Sequence, residues 1–271
     1  MIALSELAAF YDRADGEVLA DVAFPSAHAS LLQGLETGAL RVAWPKASGW
    51  EVQAWIKRAI LLGFRATQLQ EMHGWGAPAI DKTAYPPRRF TLAEGVRLVP
   101  GGSAVRRGAH LAKGVVVMPP AYVNVGAFVD EGTMVDSHAL VGSCAQVGKR
   151  VHLSAGAQVG GVLEPAGAQP VIIEDEAFVG GLVGLFEGIH VHRRAVLASG
   201  VVLTAGTVIH DLVLGRTWVK EVPEGAVVVP GSRPASGDYA KAHGIQLATP
   251  VIVKYRDPKT DAATALEEAL R

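Results

Sequence analysis

Two histidines, His190 and His192, stand two positions apart in the chain. Side chains at that spacing point to the same side of a β-strand, and two imidazoles there are compatible with a shared metal ion. No carboxylate motif flanks the pair in the sequence. The spacing alone therefore does not predict a metal centre.

Cys144 is the only cysteine of the chain. A single thiol excludes an internal disulfide framework and a cysteine zinc cluster, and it fits a reducing cytoplasm. It lies in the run Gly142-Ser143-Cys144-Ala145, whose small residues favour tight packing. We therefore predict that Cys144 packs rather than acts as a nucleophile.

The charge of the chain is nearly balanced, with 25 basic and 26 acidic residues and a net charge of −1. This balance does not indicate a nucleic-acid or membrane-surface partner. Glu6, Asp12 and Arg13 follow Met1 without a long apolar run, so neither a signal peptide nor a membrane span is expected. We expect a cytoplasmic protein.

An aliphatic residue recurs at every sixth position through the middle of the chain. The first series is Val105, Leu111, Val117, Val123, Val129, Val135, Val141, Val147, Leu153 and Val159. The second is Ile173, Val179, Leu185, Val191, Leu197, Leu203 and Ile209. A fixed period of six is typical of a hexapeptide β-helix, whose coils bury their apolar sides by stacking.

A second inward position and an outward position accompany each aliphatic residue. Four places after the aliphatic residue the side chain is small or apolar, as at Ala109, Val115 and Ala127. The residue between two inward positions points outward. Five such residues in succession are apolar, namely Val116, Tyr122, Phe128, Met134 and Leu140. We predict that they form one apolar stripe and that this stripe is an oligomer interface.

The predicted domains are a helical N-terminal domain (residues 1–95), the repeat region (96–232) and a C-terminal extension (233–271). Helical apolar spacing predicts helices over residues 26–40 and 50–64, with a short hairpin from 40–44 to 51–52. Tyr85-Pro86-Pro87-Arg88-Arg89 is predicted to be a linker.

Two interruptions break the repeat, at residues 160–171 and 210–223, and both are predicted to project as loops. In the extension, residues 251–253 are predicted to form a strand. A helix is predicted from Thr260 or Asp261 through Leu270.

Five stretches between residues 118 and 165 resemble the tetrahydrodipicolinate N-succinyltransferase family. They are Met118-Pro119, Tyr122-Val123-Asn124-Val125-Gly126-Ala127, Val129-Asp130-Glu131-Gly132-Thr133-Met134-Val135-Asp136, Gly142-Ser143-Cys144-Ala145-Gln146-Val147-Gly148 and Gly160-Gly161-Val162-Leu163-Glu164-Pro165. Weaker similarity extends to Leu40-Arg41-Val42-Ala43, Trp55-Ile56-Lys57 and Val251-Ile252-Val253-Lys254.

The resemblance implies a mainly β protein with a left-handed parallel β-helix, assembled as a homotrimer with active sites between subunits. It implies transfer of a succinyl group from succinyl-CoA to the amine of ring-opened tetrahydrodipicolinate, towards diaminopimelate and lysine. The expected partners are a small amino diacid and an acyl-CoA co-substrate. No tightly bound cofactor and no metal are expected.

The resemblance also implies which residues form the active site. Asp136 follows the inward Val135, so it points outward, and a base there would accept the proton of the attacking amine. Arg97 resembles a substrate-binding arginine of the family. Arginine suits that role because a guanidinium binds a carboxylate through paired hydrogen bonds. Arg106 and Arg107 are candidates to assist it. Candidates for the CoA phosphates are Lys220, Arg233 and Lys254.

The chain departs from the family pattern at two places. After Phe178-Val179-Gly180 the family has alanine, arginine, serine and an active-site glutamate, where this chain has Gly181-Leu182-Val183-Gly184. His138 stands where the family has tryptophan. These changes leave open two alternatives. One is an acetyl-CoA-dependent acyltransferase on a related amino diacid, similar to the relative in tabtoxin biosynthesis, and the other is a non-catalytic hexapeptide paralogue.

Overall fold

The computed structural model describes residues 2–47, 49–73 and 79–257. Its helices are α1 Leu4–Asp12, α2 Asp15–Ala20, α3 Phe24–Glu36, α4 Ala54–Ala66 and α5 Asp238–Ala242, with a 3-10 turn at Leu92–Glu94. Two hairpins flank α4, formed by β1 Ala43–Lys46 with β2 Gly49–Val52 and by β3 Leu69–Met72 with β4 Ala79–Lys82. None of the described helices is long and apolar enough to cross a membrane.

Seventeen strands of two residues follow in the repeat region. They are β5 Arg97–Leu98, β6 Ala104–Val105, β7 His110–Leu111, β8 Val116–Val117, β9 Tyr122–Val123, β10 Phe128–Val129, β11 Met134–Val135, β12 Leu140–Val141, β13 Gln146–Val147, β14 His152–Leu153, β15 Gln158–Val159, β16 Ile172–Ile173, β17 Phe178–Val179, β18 Gly184–Leu185, β19 His190–Val191, β20 Val196–Leu197 and β21 Val202–Leu203. The last strands are β22 Val208–Asp211, β23 Arg216–Val219, β24 Glu221–Val222, β25 Ala226–Pro234 and β26 Gln246–Tyr255.

Consecutive repeats contribute to three parallel sheets in turn. One sheet has the order β24-β19-β16-β13-β10-β7, a second contains β25-β20-β17-β14-β11-β8-β5, and a third has the order β21-β18-β15-β12-β9-β6. Paired residues such as Leu140 and Tyr122 are therefore 18 residues, or three repeats, apart. This arrangement agrees with the predicted hexapeptide-repeat β-helix.

The inward positions form one continuous core. Both predicted sets are buried in it, including Val105, Ala109, Val135 and Ala139, each at most 2% exposed. The three sheets therefore bury their aliphatic residues against one another, as the six-residue period predicts.

Most turns between strands have a left-handed backbone three residues after the aliphatic position. Gly126 and Gly132 have φ values of 74° and 66°, and glycine adopts them without steric strain. The same turn position holds His138, Cys144 and Leu182, with φ values of 61°, 67° and 59°. Leu182 therefore lies at the tip of a turn.

The predicted apolar stripe is not contiguous, which corrects that prediction. Phe128 belongs to the sheet of β10, Met134 to the sheet of β11, and Tyr122 and Leu140 to the sheet of β12. Successive repeats occupy successive sheets, so outward residues six apart lie on different faces. Neighbours on one face are three repeats apart, which is 18 residues where the repeat is uninterrupted. Phe128 is moreover covered by its own chain, with its ring 4.4 Å from that of His110.

The helical domain has its own hydrophobic core, and both predicted helices contribute residues to it. The predicted helices correspond to α3 and α4, and the predicted hairpin to β1–β2. Helices α1 and α2 and the hairpin β3–β4 were not predicted. Tyr85, predicted to be in a linker, is fully buried, and its hydroxyl donates to Ile60 O at 2.7 Å.

The two interruptions have different structures. The first lengthens the spacing of paired residues from 18 to 26, as between Gln146 and Ile172, and no described strand lies within it. Lys57 Nζ on α4 donates to Ala168 O at 2.6 Å, so the loop lies against the helical domain. The second was predicted to be a loop and is instead largely the antiparallel hairpin β22–β23.

The C-terminal extension continues the repeat region as a long hairpin. Strand β25 pairs with β20 in the repeat and with the antiparallel β26, which contains the predicted strand over residues 251–253. Asp211 is buried beside this hairpin and accepts hydrogen bonds from the Trp218 and Tyr255 side chains. The helix predicted to end at Leu270 lies outside the described residues.

Candidate active site

One sheet face brings together two of the predicted site residues. On the sheet of β5, β8, β11 and β14, the paired outward residues are Arg97, Val116, Met134 and His152. Asp136 follows Met134 by two positions, so its side chain points to the same face. Since neighbouring strands are about 4.8 Å apart, Arg97 lies about 10 Å from Met134 across the sheet.

Asp136 is oriented by its own turn. One carboxylate oxygen, Oδ1, accepts the backbone N–H of Ser137 at 2.7 Å. The other, Oδ2, lies 3.9 Å from His152 Nε2 on the adjacent coil. The Asp136 side chain is 30% exposed. The carboxylate is thus held in place and remains accessible to a ligand on this face.

His152 is a functional candidate that the sequence reasoning missed. Its imidazole is largely buried, and the ring meets that of Phe178 edge-to-face at 5.0 Å between centroids. An imidazole near a carboxylate is a common arrangement for moving a proton. The available signal was the 18-residue register, which places His152 level with Met134.

Arg106 and Arg107 are engaged with the helical domain. The Arg106 guanidinium forms an ion pair with Asp81 and lies over the rings of Phe64 and Tyr85. Arg107 Nε lies 3.5 Å from Glu36 Oε1. These contacts favour a role in holding the helical domain to the first coils, and they do not bring Arg106 to Asp136.

The three basic residues that are candidates to bind the CoA phosphates do not lie close together within one chain. Lys254 pairs with Val227 on the same sheet as Asp136, and its ammonium lies 3.5 Å from Asp257. Arg233 is exposed and lies six residues further along β25, about 20 Å away at strand spacing. Lys220 is exposed and precedes β24, which belongs to a different sheet.

The segment that departs from the family pattern has two buried members, Val183 and Gly184. Leu182 is 73% exposed at its turn, whereas Val183 is fully buried in the repeat core. Gly184 is in β18, and a Cβ added there would lie 2.6 Å from a ring carbon of Phe186. Phe186 therefore occupies the space that a side chain at position 184 would need, and Val183 cannot line an outer pocket. His138 is exposed at its turn.

Cys144 lies where the helical domain packs on the repeats. Its thiol is fully buried, in one core cluster with Val42, Ile60 and Val125. Burial raises the pKa of the Cys144 thiol to about 12. Because the thiolate is the nucleophilic form, these surroundings support the predicted packing role.

The histidine pair has an acidic neighbour that is invisible in the linear sequence. Glu174 lies on the preceding coil, and its Oε1 is 2.7 Å from His190 Nε2 while its Oε2 is 3.6 Å from His192 Nδ1. No carboxylate motif flanks the pair in the sequence, and the fold instead supplies Glu174 from the neighbouring coil. The parallel register places Glu174 level with His192.

Both the repeats and the helical domain match known sequence families. A model described as tetrahydrodipicolinate N-succinyltransferase N-terminal matches residues 7–66. A second model, described as hexapeptide repeat of succinyl-transferase, matches residues 170–205. The sequence models and the three parallel sheets together define a hexapeptide-repeat protein of the succinyltransferase type.

Relatives named 2,3,4,5-tetrahydropyridine-2,6-dicarboxylate N-succinyltransferase cover nearly the whole chain. That of Azoarcus sp. (strain BH72) is 47% identical over 270 residues, covering 97% of this chain and 96% of the relative. That of Rhodopseudomonas palustris (strain TIE-1) is 51% identical over 245 residues, covering 88% of this chain and 86% of the relative. The chain belongs to the tetrahydrodipicolinate N-succinyltransferase family.

Proposed function

We propose that this chain transfers the succinyl group of succinyl-CoA to the amine of ring-opened tetrahydrodipicolinate, in the cytoplasm, as a step of lysine and diaminopimelate biosynthesis. The observation that carries the proposal is the 47% identity over 97% of the chain to a relative of that name. An acyl-CoA co-substrate and the absence of a tightly bound cofactor belong to the same proposal.

In the proposed reaction the amine nitrogen attacks the thioester carbonyl carbon. The nitrogen–carbon bond forms, the carbon–sulfur bond breaks, and CoA leaves as a thiolate that takes up a proton. Asp136 is the proposed base that removes the amine proton, because its carboxylate is oriented and accessible. His152, 3.9 Å from that carboxylate, is proposed to position it.

Arg97 is the proposed substrate-binding arginine. Its place on the Asp136 face supports this role, because an arginine side chain can span much of the roughly 10 Å between the two strands concerned. Lys254 is the proposed contact for the CoA phosphates, since it lies further along the same sheet. Arg106, Lys220 and Arg233 have weaker support.

The proposed assembly is a homotrimer of left-handed β-helices with active sites in the clefts between subunits. Apolar residues on the outward face of the third sheet support an interface there. Tyr122 and Leu140 are neighbours on that face and Val202, at its end, is 52% exposed. In this arrangement a second subunit would complete the site around Asp136.

An acetyl-CoA-dependent enzyme is the second candidate, and the Leu182 to Gly184 segment favours it. Leu182 presents an apolar side chain where the resembled family has arginine, and Gly184 lacks the family's glutamate. A pocket without these polar groups discriminates less strongly for a carboxylate-bearing donor.

The decisive experiment is a CoA-release assay with purified protein. Succinyl-CoA and acetyl-CoA are compared with enzymatically generated tetrahydrodipicolinate as acceptor, and acceptor-free reactions report hydrolysis. Acceptor-dependent release from succinyl-CoA supports the proposal, and release from acetyl-CoA alone supports the second candidate. No acceptor-dependent release from either donor would identify a non-catalytic paralogue.

A further inference from the structure

Three successive coils of one sheet bring two histidines and two glutamates together. Glu174 follows β16, His190 and His192 lie on the next coil at β19, and Glu221 begins β24, just after the β22–β23 hairpin. The two imidazole rings are 3.9 Å apart between centroids. All four residues are partly buried, and none belongs to the Asp136 face.

The ligand atoms lie at distances that suit one metal ion. One atom each from Glu174, His190 and His192 can be chosen so that all lie within 4.8 Å of one another. In a tetrahedral site with metal–ligand bonds of about 2.0–2.1 Å, ligand atoms are about 3.3 Å apart. Glu174 presents one oxygen to each imidazole, Oε1 at 2.7 Å from His190 Nε2 and Oε2 at 3.6 Å from His192 Nδ1, and both distances are close to that value.

Neighbouring groups orient these ligands as in established metal sites. His192 Nε2 lies 3.3 Å from Glu221 Oε2, which leaves Nδ1 directed to the metal position. A carboxylate on the distal imidazole nitrogen fixes the tautomer and ring orientation of a metal-binding histidine. Glu174 is held in turn, because Trp50 Nε1 donates to Oε1 at 3.2 Å and the Arg193 backbone donates to Oε2 at 3.0 Å.

The cluster is also accessible to an ion from solution. Trp50 and Glu174 both line a cavity of about 280 Å³, and His190 and Glu221 line a second cavity of about 590 Å³. Two neutral imidazoles and two carboxylates would carry a total charge of −2, which balances a divalent cation.

We propose that Glu174, His190 and His192 form a binding site for a divalent first-row transition metal of the Zn²⁺ type, with Glu221 as the carboxylate partner of His192. Imidazole nitrogen with carboxylate oxygen suits Zn²⁺ and its neighbours, whereas Mg²⁺ and Ca²⁺ prefer oxygen ligands alone. The bound ion joins two successive coils and, through the Trp50 contact to Glu174, the β1–β2 hairpin. The site is on a different sheet from the proposed base, so the role assigned to the ion is structural.

The test measures metal binding directly, on full-length protein without a polyhistidine tag. The protein is treated with a chelator, dialysed and titrated with Zn²⁺, and bound metal is measured by elemental analysis after gel filtration. Roughly one Zn²⁺ per chain is expected. Co²⁺ serves as an optical probe of nitrogen and oxygen coordination, and Mg²⁺ is the control ion that does not compete.

Three variants assign the site. Glu174→Gln keeps the side-chain shape, and the double variant His190→Ala with His192→Ala removes both imidazoles; each is expected to weaken Zn²⁺ binding at least tenfold. His243→Ala, on the exposed segment after α5, is the matched control and should bind as the wild type does. Circular dichroism confirms that each variant is folded.

Thermal unfolding supplies a second readout that does not depend on catalysis. Zn²⁺ should raise the Tm of the wild type and of His243→Ala, and leave that of Glu174→Gln unchanged, because a ligand stabilises only a state that binds it. The proposal is overturned if wild-type protein retains well under half an equivalent of Zn²⁺, or if the Glu174 and double-histidine variants bind it as tightly as the control.

Discussion

Asp136 and Asp130 occupy the same position in successive repeats and differ in what they face. Each follows an inward valine, and each carboxylate accepts the next backbone N–H, Asp136 at 2.7 Å and Asp130 at 2.8 Å. Asp136 lies on the face of Arg97 and His152, whereas Asp130 lies on the sheet of β10. The same substitution at both positions therefore distinguishes an effect on the turn from an effect on the proposed proton transfer.

We expect Asp136→Asn to lower turnover by about a hundredfold, because an amide cannot accept the amine proton and general bases contribute on that order. Steady-state CoA release measures the loss. Asp130→Asn, which makes the same change in an equivalent turn, should retain near wild-type turnover. Turnover of Asp136→Asn within a fewfold of wild type would assign Asp136 a structural role.

Donor choice is the second residue-scale prediction. With Leu182 and Gly184 in place of the family's arginine and glutamate, the wild-type enzyme should show little preference for succinyl-CoA over acetyl-CoA. Leu182→Arg combined with Gly184→Glu should raise that preference, measured as the ratio of kcat/KM values. The Gly184 change must displace the Phe186 ring, so Leu182→Arg alone is made as well.

Val183→Ser is the matched control for donor choice. Its side chain is fully buried in the repeat core, so a hydroxyl there should lower the Tm and leave the donor ratio unchanged. A wild-type enzyme already strongly selective for succinyl-CoA would contradict the prediction. In that case Arg97 and the residue 160–171 loop would be the next places to look for the selective contacts.

Among the elements, α4 shares with α3 the contact between the helical domain and the repeats. Its Ile56 and Ile60 are buried in the core, and Lys57 holds the first interruption through Ala168 O. Gly63 lies on the buried face, where an added Cβ would collide with the His28 imidazole and the Tyr85 hydroxyl. Both of those side chains are buried, so they have little room to move aside.

We expect Gly63→Ala to lower the free energy of unfolding by roughly 1–3 kcal/mol or more, as overpacking does, despite the higher helix propensity of alanine. Gly16→Ala in α2 is the matched control, since nothing lies within 4 Å of its added Cβ. It should be neutral or stabilising. Chemical denaturation of both variants measures the difference, and equal effects would contradict the packing argument.

At the scale of the whole molecule, a buried histidine makes stability depend on pH. His28 is 4% exposed, and its burial lowers its pKa from 6.5 to about 4, with Arg107 adding repulsion. In the unfolded chain the pKa returns to about 6.5. Between these values the unfolded state takes up a proton that the folded state does not, so stability falls as the pH falls through that range.

The expected loss from this histidine is about 2 kcal/mol between pH 7 and pH 5. Unfolding measured at both values should show it for the wild type, and less of it for His28→Gln, which does not titrate. His243→Gln, at an exposed position, is the control and should keep the wild-type dependence. An unchanged pH slope in His28→Gln would remove His28 as the cause.

Assembly is the second prediction at this scale. Light scattering at micromolar concentration should give the mass of a trimer. Leu140→Glu should weaken the assembly, because it places an unpaired charge among apolar groups at the proposed interface. Phe128→Glu is a weaker test, since Phe128 lies against Arg41 and His110 of its own chain. A wild-type monomer would exclude the trimer.

The repeat can be read directly from the amino-acid pattern. A six-residue period of aliphatic residues predicts a β-helix, because stacked coils bury every one of those side chains. Val135 and Ala139 were therefore assigned inward, and Asp136 outward, from the sequence alone. The helices α3 and α4 were likewise visible in the spacing of their apolar residues.

Which outward residues are neighbours, in contrast, became clear only from the folded chain. Three repeats complete one coil, so contact partners are 18 residues apart, plus the length of any interruption. That register separates Phe128 from Leu140, which the sequence suggested were in one stripe, and brings His152 to Asp136 and Glu174 to His190. Distances across coils depend on stacking and on insertion lengths, and neither is encoded in the local pattern of six residues.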